Sequence, residues 1–185
     1  MLRLLRIIIL VAGFVLYTTS INAQLFTNAG TDFWFAFTET RDRANAQYWV
    51  NITSNAAANG TIEIPGTGFN QNFVVAPGQV LKIPIPSADA NILGSEINVN
   101  RGIHITSNND IVVFAVTLAS ARHEASLVLP NIPGKKKYRV MSHFSELRSN
   151  TLYESEFNIV SGGDTVIVDI TPTADIAGGR DSGIT

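Results

Sequence analysis

Ile111-Val112-Val113-Phe114-Ala115-Val116 is apolar at every position, so as an extended chain it is apolar on both of its faces. That pattern belongs to a strand in the middle of a β-structure, covered above and below. Val80-Leu81-Lys82-Ile83-Pro84-Ile85 reads differently. Leu81, Ile83 and Ile85 alternate with Lys82, Pro84 and Pro86, which gives one buried face and one solvated face, and the prolines place the strand nearer an edge because they cannot donate to a ladder.

Working outward, nearly every segment after Gln24 repeats one of these two patterns in short β-branched and aromatic runs. Strands are predicted over 33–37, 48–53, 61–64, 72–75, 80–85, 102–106, 111–118, 126–129, 138–142, 156–160 and 165–170. Asn59-Gly60, Pro77-Gly78, Asn108-Asn109-Asp110 and Gly162-Gly163 fall between them and favour tight-turn conformations. One helical turn is predicted within 86–93, capped by Ser87 and ended by Gly94. The fold class is therefore all-β, an antiparallel β-sandwich.

An internal likeness suggests more than one unit. Trp49-Val50-Asn51-Ile52-Thr53-Ser54 followed by Thr61-Ile62-Glu63-Ile64-Pro65 resembles Phe157-Asn158-Ile159-Val160-Ser161 followed by Thr165-Val166-Ile167-Val168-Asp169-Ile170-Thr171-Pro172. The organisation expected from it is a first β module over 24–145 and the start of a second, incomplete one over 146–185. Further domains beyond Thr185 are expected, since a natural domain rarely ends on an unpaired strand.

Arg3 and Arg6 flank an uncharged apolar run over 7–17, and a polar, small-residue stretch ends at Asn22-Ala23. This is the three-part pattern of a signal peptide over 1–23, its apolar run too short for a permanent span. The 185 residues carry a formal charge of −2, and losing Arg3 and Arg6 makes the remainder more acidic. Nucleic acid is therefore not an expected partner, because phosphate binding needs a basic face. With no cysteine, the chain relies on its apolar core outside the cell and has no N-terminal thiol for a lipid anchor.

Gly30-Thr31-Asp32-Phe33-Trp34-Phe35-Ala36-Phe37 with Glu39 resembles the opening motif of the IgGFc-binding protein N-terminal domain. Later pieces follow in the same order: Ile64-Pro65-Gly66-Thr67-Gly68-Phe69, Pro77-Gly78-Gln79, Gly102-Ile103-His104-Ile105-Thr106-Ser107, Leu127-Val128-Leu129-Pro130, Tyr138-Arg139-Val140-Met141-Ser142, and Thr165-Val166-Ile167-Val168-Asp169-Ile170-Thr171-Pro172-Thr173. The resemblance implies a non-enzymatic extracellular β-sandwich module of a longer surface or secreted protein. It carries no residue pattern for immunoglobulin binding, and the cysteine-rich repeats of animal members are missing, which fits a bacterial relative.

The side chains that bear chemistry are sparse. His104 alternates with Ile103 and Ile105 and so faces solvent; His123 sits beside Glu124 without a second histidine at zinc-helix spacing; His143 follows Ser142, which points to the opposite strand face. Gly66-Thr67-Gly68 lacks the lysine and helix of a phosphate loop and reads as a turn. Lys135-Lys136-Lys137 reads as a solvated turn that discourages edge pairing, and Asp164 and Asp169 lack the spacing of a calcium loop. Asn51 and Asn59 satisfy glycosylation sequons, which matter only in a eukaryotic source. Phe33, Phe35 and Phe37 share a core face, leaving Trp34 on the other as the one candidate binding residue, a second core layer, an interdomain contact or a sugar platform.

No catalytic residue, metal ion or cofactor is expected. The function these readings favour is interaction or adhesion with an extracellular protein or glycan. The alternative is a glycan-binding domain attached to an enzyme beyond residue 185.

Overall fold

A computed structural model describes residues 28–40, 43–94, 96–120, 123–132, 136–141, 146–148, 151–153, 155–163 and 165–173. The export signal read over 1–23 lies outside them, as do Lys135, Ser142, His143 and Asp164. Among the described residues the strands are β1 (Gly30–Phe35), β2 (Gln47–Thr53), β3 (Ala58–Ile64), β4 (Phe69–Val75), β5 (Val80–Ile85), β6 (Ile103–Leu118), β7 (His123–Val128), β8 (Glu146–Arg148) and β9 (Thr151–Tyr153), with a 3-10 turn at Arg43–Asn45 and a short helix, α1 (Ser87–Ala90). The first seven strands form one sheet in which every pair is antiparallel, and β8 pairs with β9 alone. The all-β expectation holds, in the form of a sheet wrapped until it nearly closes. Among the described residues no helix is long and apolar enough to cross a membrane.

The organising element is β6, 16 residues long. Its first half lies between β1 and β3, and its second half between β2 and β7. Two strands had been predicted here, with Asn108-Asn109-Asp110 as the turn between them. The chain instead runs unbroken through that triplet as one strand, and the turn-forming residues serve to round a corner. Alternation survives the corner: Ile103 and Ile105 before it and Ile111 and Val113 after it are all fully buried. One inward face therefore serves both halves, as happens where a strand passes from one sheet layer to the other at a bend.

β2 and β3 follow β6 around the same corner. Tyr48 lies opposite Ile85 and Ala58 opposite Val75 in a single unbroken antiparallel register, so β2 with β3 and β4 with β5 behave as one long bent hairpin. Against β6 the register does slip. Thr53 pairs Val112 whereas Gly60 pairs Ser107, so the 54–57 connector spends more residues on the corner than β6 does. On the other flank, Pro130-Asn131 follows β7 to the start of β1, where the Asn131 N–H donates to the Asp32 carbonyl at 2.8 Å.

Two glycine readings separate here. Pro77-Gly78 is the turn expected, with Gly78 at φ +71 and its N–H donating to the Ser54 carbonyl at 2.8 Å. Asn59-Gly60 is not a turn but part of β3. A Cβ on Gly60 would stand 2.0 Å from the Thr106 carbonyl oxygen and 2.6 Å from the Phe73 ring, so glycine is required for close approach.

The core gathers Phe33, Val50, Ile52, Ile62, Ile64, Ile83 and, from β6, Ile103, Ile105, Ile111 and Val113, all at most 1% exposed. At about 1.5–3 kcal/mol for each large side chain buried, this is the dominant stabilising term. Two expectations about cover are revised. β6 is central, but the outer face of its second half is covered only in part: Val112 and Val116 are half-buried and Phe114 is 37% exposed. The predicted strands within 138–141, over 156–160 and over 165–170 are not strands. Val166, Ile167 and Val168 are exposed, Ile167 at 94%. Strand propensity alone does not make a strand when no neighbouring edge accepts its hydrogen bonds.

One end of the core is closed by Tyr48, whose ring tilts against Phe37 at 4.9 Å and whose hydroxyl donates to Asn91 Oδ1, just past α1. Ser87 is the first helical residue rather than the cap, which is Pro86, and the Ser87 hydroxyl donates to the Ala46 carbonyl at 2.8 Å. Burial, and secondarily the charge of Glu39, push the Tyr48 hydroxyl's pKa above its ordinary value of 10.0. A folded-state pKa raised above the unfolded one adds stability that is complete below about 10 and is lost as pH rises through the folded value. Chemical denaturation across alkaline pH should therefore show the native chain losing stability above about pH 10 relative to Tyr48→Phe. The variant should be weaker near neutrality by about 0.5–1.5 kcal/mol. Parallel curves would contradict the assignment.

Candidate functional site

The most elaborate polar arrangement lies on the outer face of the half formed by β4, β3, β6 and β1. Alternation sends Ile62, Ile64, Ile103, Ile105 and Phe33 inward, so Glu63, His104 and Trp34 face outward. Register then sets them in a row: Asn70 opposite Glu63, Glu63 opposite His104, His104 opposite Trp34. Four strands each supply one member of this row.

His104 is held on every side. Its Nε2 lies 2.8 Å from Asp32 Oδ1 and its Nδ1 lies 3.1 Å from Glu63 Oε1. The ring stacks on the Trp34 indole with centroids 4.1 Å apart and planes 10° from parallel. The outer carboxylate oxygens are engaged too, Asp32 Oδ2 accepting from Asn131 Nδ2 at 2.9 Å and Glu63 Oε2 from Asn70 Nδ2 at 3.3 Å. Ionised carboxylates only accept, so both contacts to the ring are hydrogen bonds when each ring nitrogen carries a proton.

This geometry is suited to tying strands together. Both imidazole nitrogens are occupied and point to different carboxylates, so they do not converge on a common point where a metal or a reacting atom could sit. The His104 side chain is 21% exposed and its partners are 42% and 37% exposed, which limits each pair to about 0.2–1 kcal/mol. The cluster therefore adds to a fold the core already holds.

Trp34, the candidate from sequence, faces outward as alternation required, but its ring is engaged. His104 stacks on it, and a Cβ on Gly162 would lie 3.3 Å from the indole Nε1. Val160 packs nearby against Gly102, and Asn158 Nδ2 donates to the Phe37 carbonyl at 3.0 Å. The segment around 158–162 thus rests against the outer side of this half. Phe33 and Phe37 are core and Phe35 packs at its margin, as expected.

The remaining candidates stay apart. His123 begins β7, exposed, opposite Leu118. Gly66-Thr67-Gly68 forms the β3–β4 turn, where the N–H groups of Thr67 and Gly68 both donate to the Ile64 carbonyl. Lys136, Lys137 and Asp169 are exposed. Asn51 lies on β2 opposite Lys82 and Phe114. Sequence reading missed Asp32, Glu63, Asn70 and Asn131 altogether. Asp32 shares a face with Trp34 by alternation, but nothing local reveals that His104, opposite Trp34, comes within reach of its carboxylate.

A second outer surface belongs to the half formed by β5, β2, β6 and β7. Trp49 lies opposite Val116, which lies opposite Ala125; in the next row Phe114 lies opposite Leu127. Lys82 Nζ sits 3.9 Å above the Trp49 ring, and Gln47, Trp49, Lys82, Pro84, Pro86 and Ser87 border a shallow groove of about 260 Å³.

No family model, curated protein or solved structure matches the chain.

His104→Ala removes both carboxylate contacts and the indole stack, and urea denaturation should register a loss of roughly 1–2 kcal/mol. A change within experimental error of zero would show that the row of side chains contributes nothing to holding β1 and β3 on β6.

Proposed function

We propose that the chain is exported and acts outside the cell as a non-enzymatic recognition or adhesion module, meeting a protein partner through the outer surface of β2, β6 and β7. The observation that carries this reading is the apolar centre of that surface. Phe114 and Leu127 stand opposite one another and are each 37% exposed, with Val112, Val116 and Trp49 half-buried around them. Contiguous apolar surface on a sheet, edged by polar groups such as Lys82 and Asn51, is the composition of a protein-binding patch, and aromatic side chains at its middle make the strongest anchors.

Export is part of the same proposal. It is supported by the charge and apolar pattern over 1–23. The ordered motifs that resemble the IgGFc-binding protein N-terminal domain support the class of protein, an extracellular module, without naming its ligand. A glycan ligand is the second reading, favoured by an open polar cleft at the corner of β6.

Particles coated with the native chain should adhere to surfaces bearing extracellular proteins, and the pair Phe114→Lys and Leu127→Lys should reduce that adhesion by tenfold or more, since a lost central anchor costs at least about 1–2 kcal/mol. Circular dichroism should show the variant folded. Undiminished adhesion by a folded variant would remove this surface as the site of recognition.

A further inference from the structure

Where β6 turns its corner, the sheet opens into a cleft of about 600 Å³, a size that holds small-molecule ligands. One wall is the β2–β3 connector with Thr53, Asn55 and Ala56; the other is the bend of β6 with Asn108, Asn109, Asp110 and Val112; Thr31 of β1 closes the rim. The opening follows from the register. β2 leaves β6 at Thr53 and β3 rejoins it at Gly60, so the connector bows away while β6 takes the shorter path.

The walls are fixed by their own hydrogen bonds. Ser54, buried at 4%, donates from its hydroxyl to the Asp110 carbonyl at 2.6 Å and accepts from the Ala56 N–H at 3.2 Å. Asn109 Nδ2 donates to the Ala57 carbonyl at 2.7 Å, and Asn108 Oδ1 accepts from the Asn59 N–H at 2.9 Å. After these bonds are made, polar groups remain. The Asn108 amide nitrogen, the Asp110 carboxylate, the Asn55 amide and the Thr31 and Thr53 hydroxyls make no hydrogen bond or ion pair among the described residues.

We propose that this cleft binds a neutral saccharide. The proposal rests on the glycan reading and deepens it; the cleft adjoins the Phe114 surface and shares Val112 with it. A carboxylate that accepts from two hydroxyls, beside amides that both donate and accept, matches the alternating donors and acceptors around a pyranose ring. Val112 and Ala56 supply small apolar contacts for its C–H faces. Among the described residues that line the cleft, Asp110 carries the single formal charge, which disfavours anionic sugars, phosphate and carboxylates. Because the backbone carbonyl of Asp110, not its carboxylate, anchors Ser54, replacing the carboxylate leaves the wall intact.

The test is a backbone-amide NMR titration of the full chain with four separate probes: glucose, galactose, mannose and N-acetylglucosamine. At least one should give saturable shifts centred on 53–56 and 108–112, and Asp110→Asn should weaken that probe about tenfold or more. Leu127→Lys, one strand further from the cleft on β7, should leave the titration unchanged, which separates this site from the recognition surface. Silence toward all four sugars would overturn the proposal. So would shifts centred on Trp34 or Trp49, equal binding by Asp110→Asn, or a response of these amides to calcium chloride but to no sugar.

Discussion

Everything in this fold depends on β6 staying a single strand while changing the company it keeps. Its first half is hydrogen-bonded to β1 and β3 and its second half to β2 and β7, so the two halves of the sheet share one backbone. The inward parity of Ile103, Ile105, Ile111 and Val113 is what makes the arrangement stable, since a one-residue slip at the bend would turn one pair of these side chains out to solvent. The polar triplet at the bend is compatible with this parity because Asn109, although on the inward phase, stands at the corner, exposed, with its amide on the neighbouring connector.

Surfaces and cavities follow from the same constraint. The outer face of the first half is occupied by its own side chains, with His104 between Asp32 and Glu63 and the indole of Trp34 stacked on it. Among the described residues the outer face of the second half carries no such network, and Phe114 and Leu127 are left half open. Between the halves, the unequal paths of β6 and the β2–β3 connector leave the polar cleft. A tie, an apolar surface and a cleft thus occupy three different places along one strand.

How much of this was legible in the sequence depends on how local the governing physics is. β5 could be read residue by residue, because alternation of Leu81, Ile83 and Ile85 with Lys82 and Pro84 is a property of the segment alone. Asn108-Asn109-Asp110 was misread because the residue types that reverse a chain also let a strand bend. Gly60 was misread because its reason is contact with Thr106 and Phe73, which are remote in sequence. The runs over 156–160 and 165–170 have strand composition but no paired edge, a condition that composition does not encode. Of the candidate site, the outward setting of Trp34 was legible and its neighbours were not, since Asp32 and His104 meet only through the register of β1 on β6.

The central claim is that β6 couples both halves into one cooperative unit. Native-state hydrogen exchange tests it directly, because amides protected by the same opening event report the same free energy. The account predicts one shared, highest protection for the hydrogen-bonded amides of β6 on both sides of the bend, at 103–106 and at 112–117. Two well-separated free energies, with one half of β6 opening while the other stays closed, would contradict it.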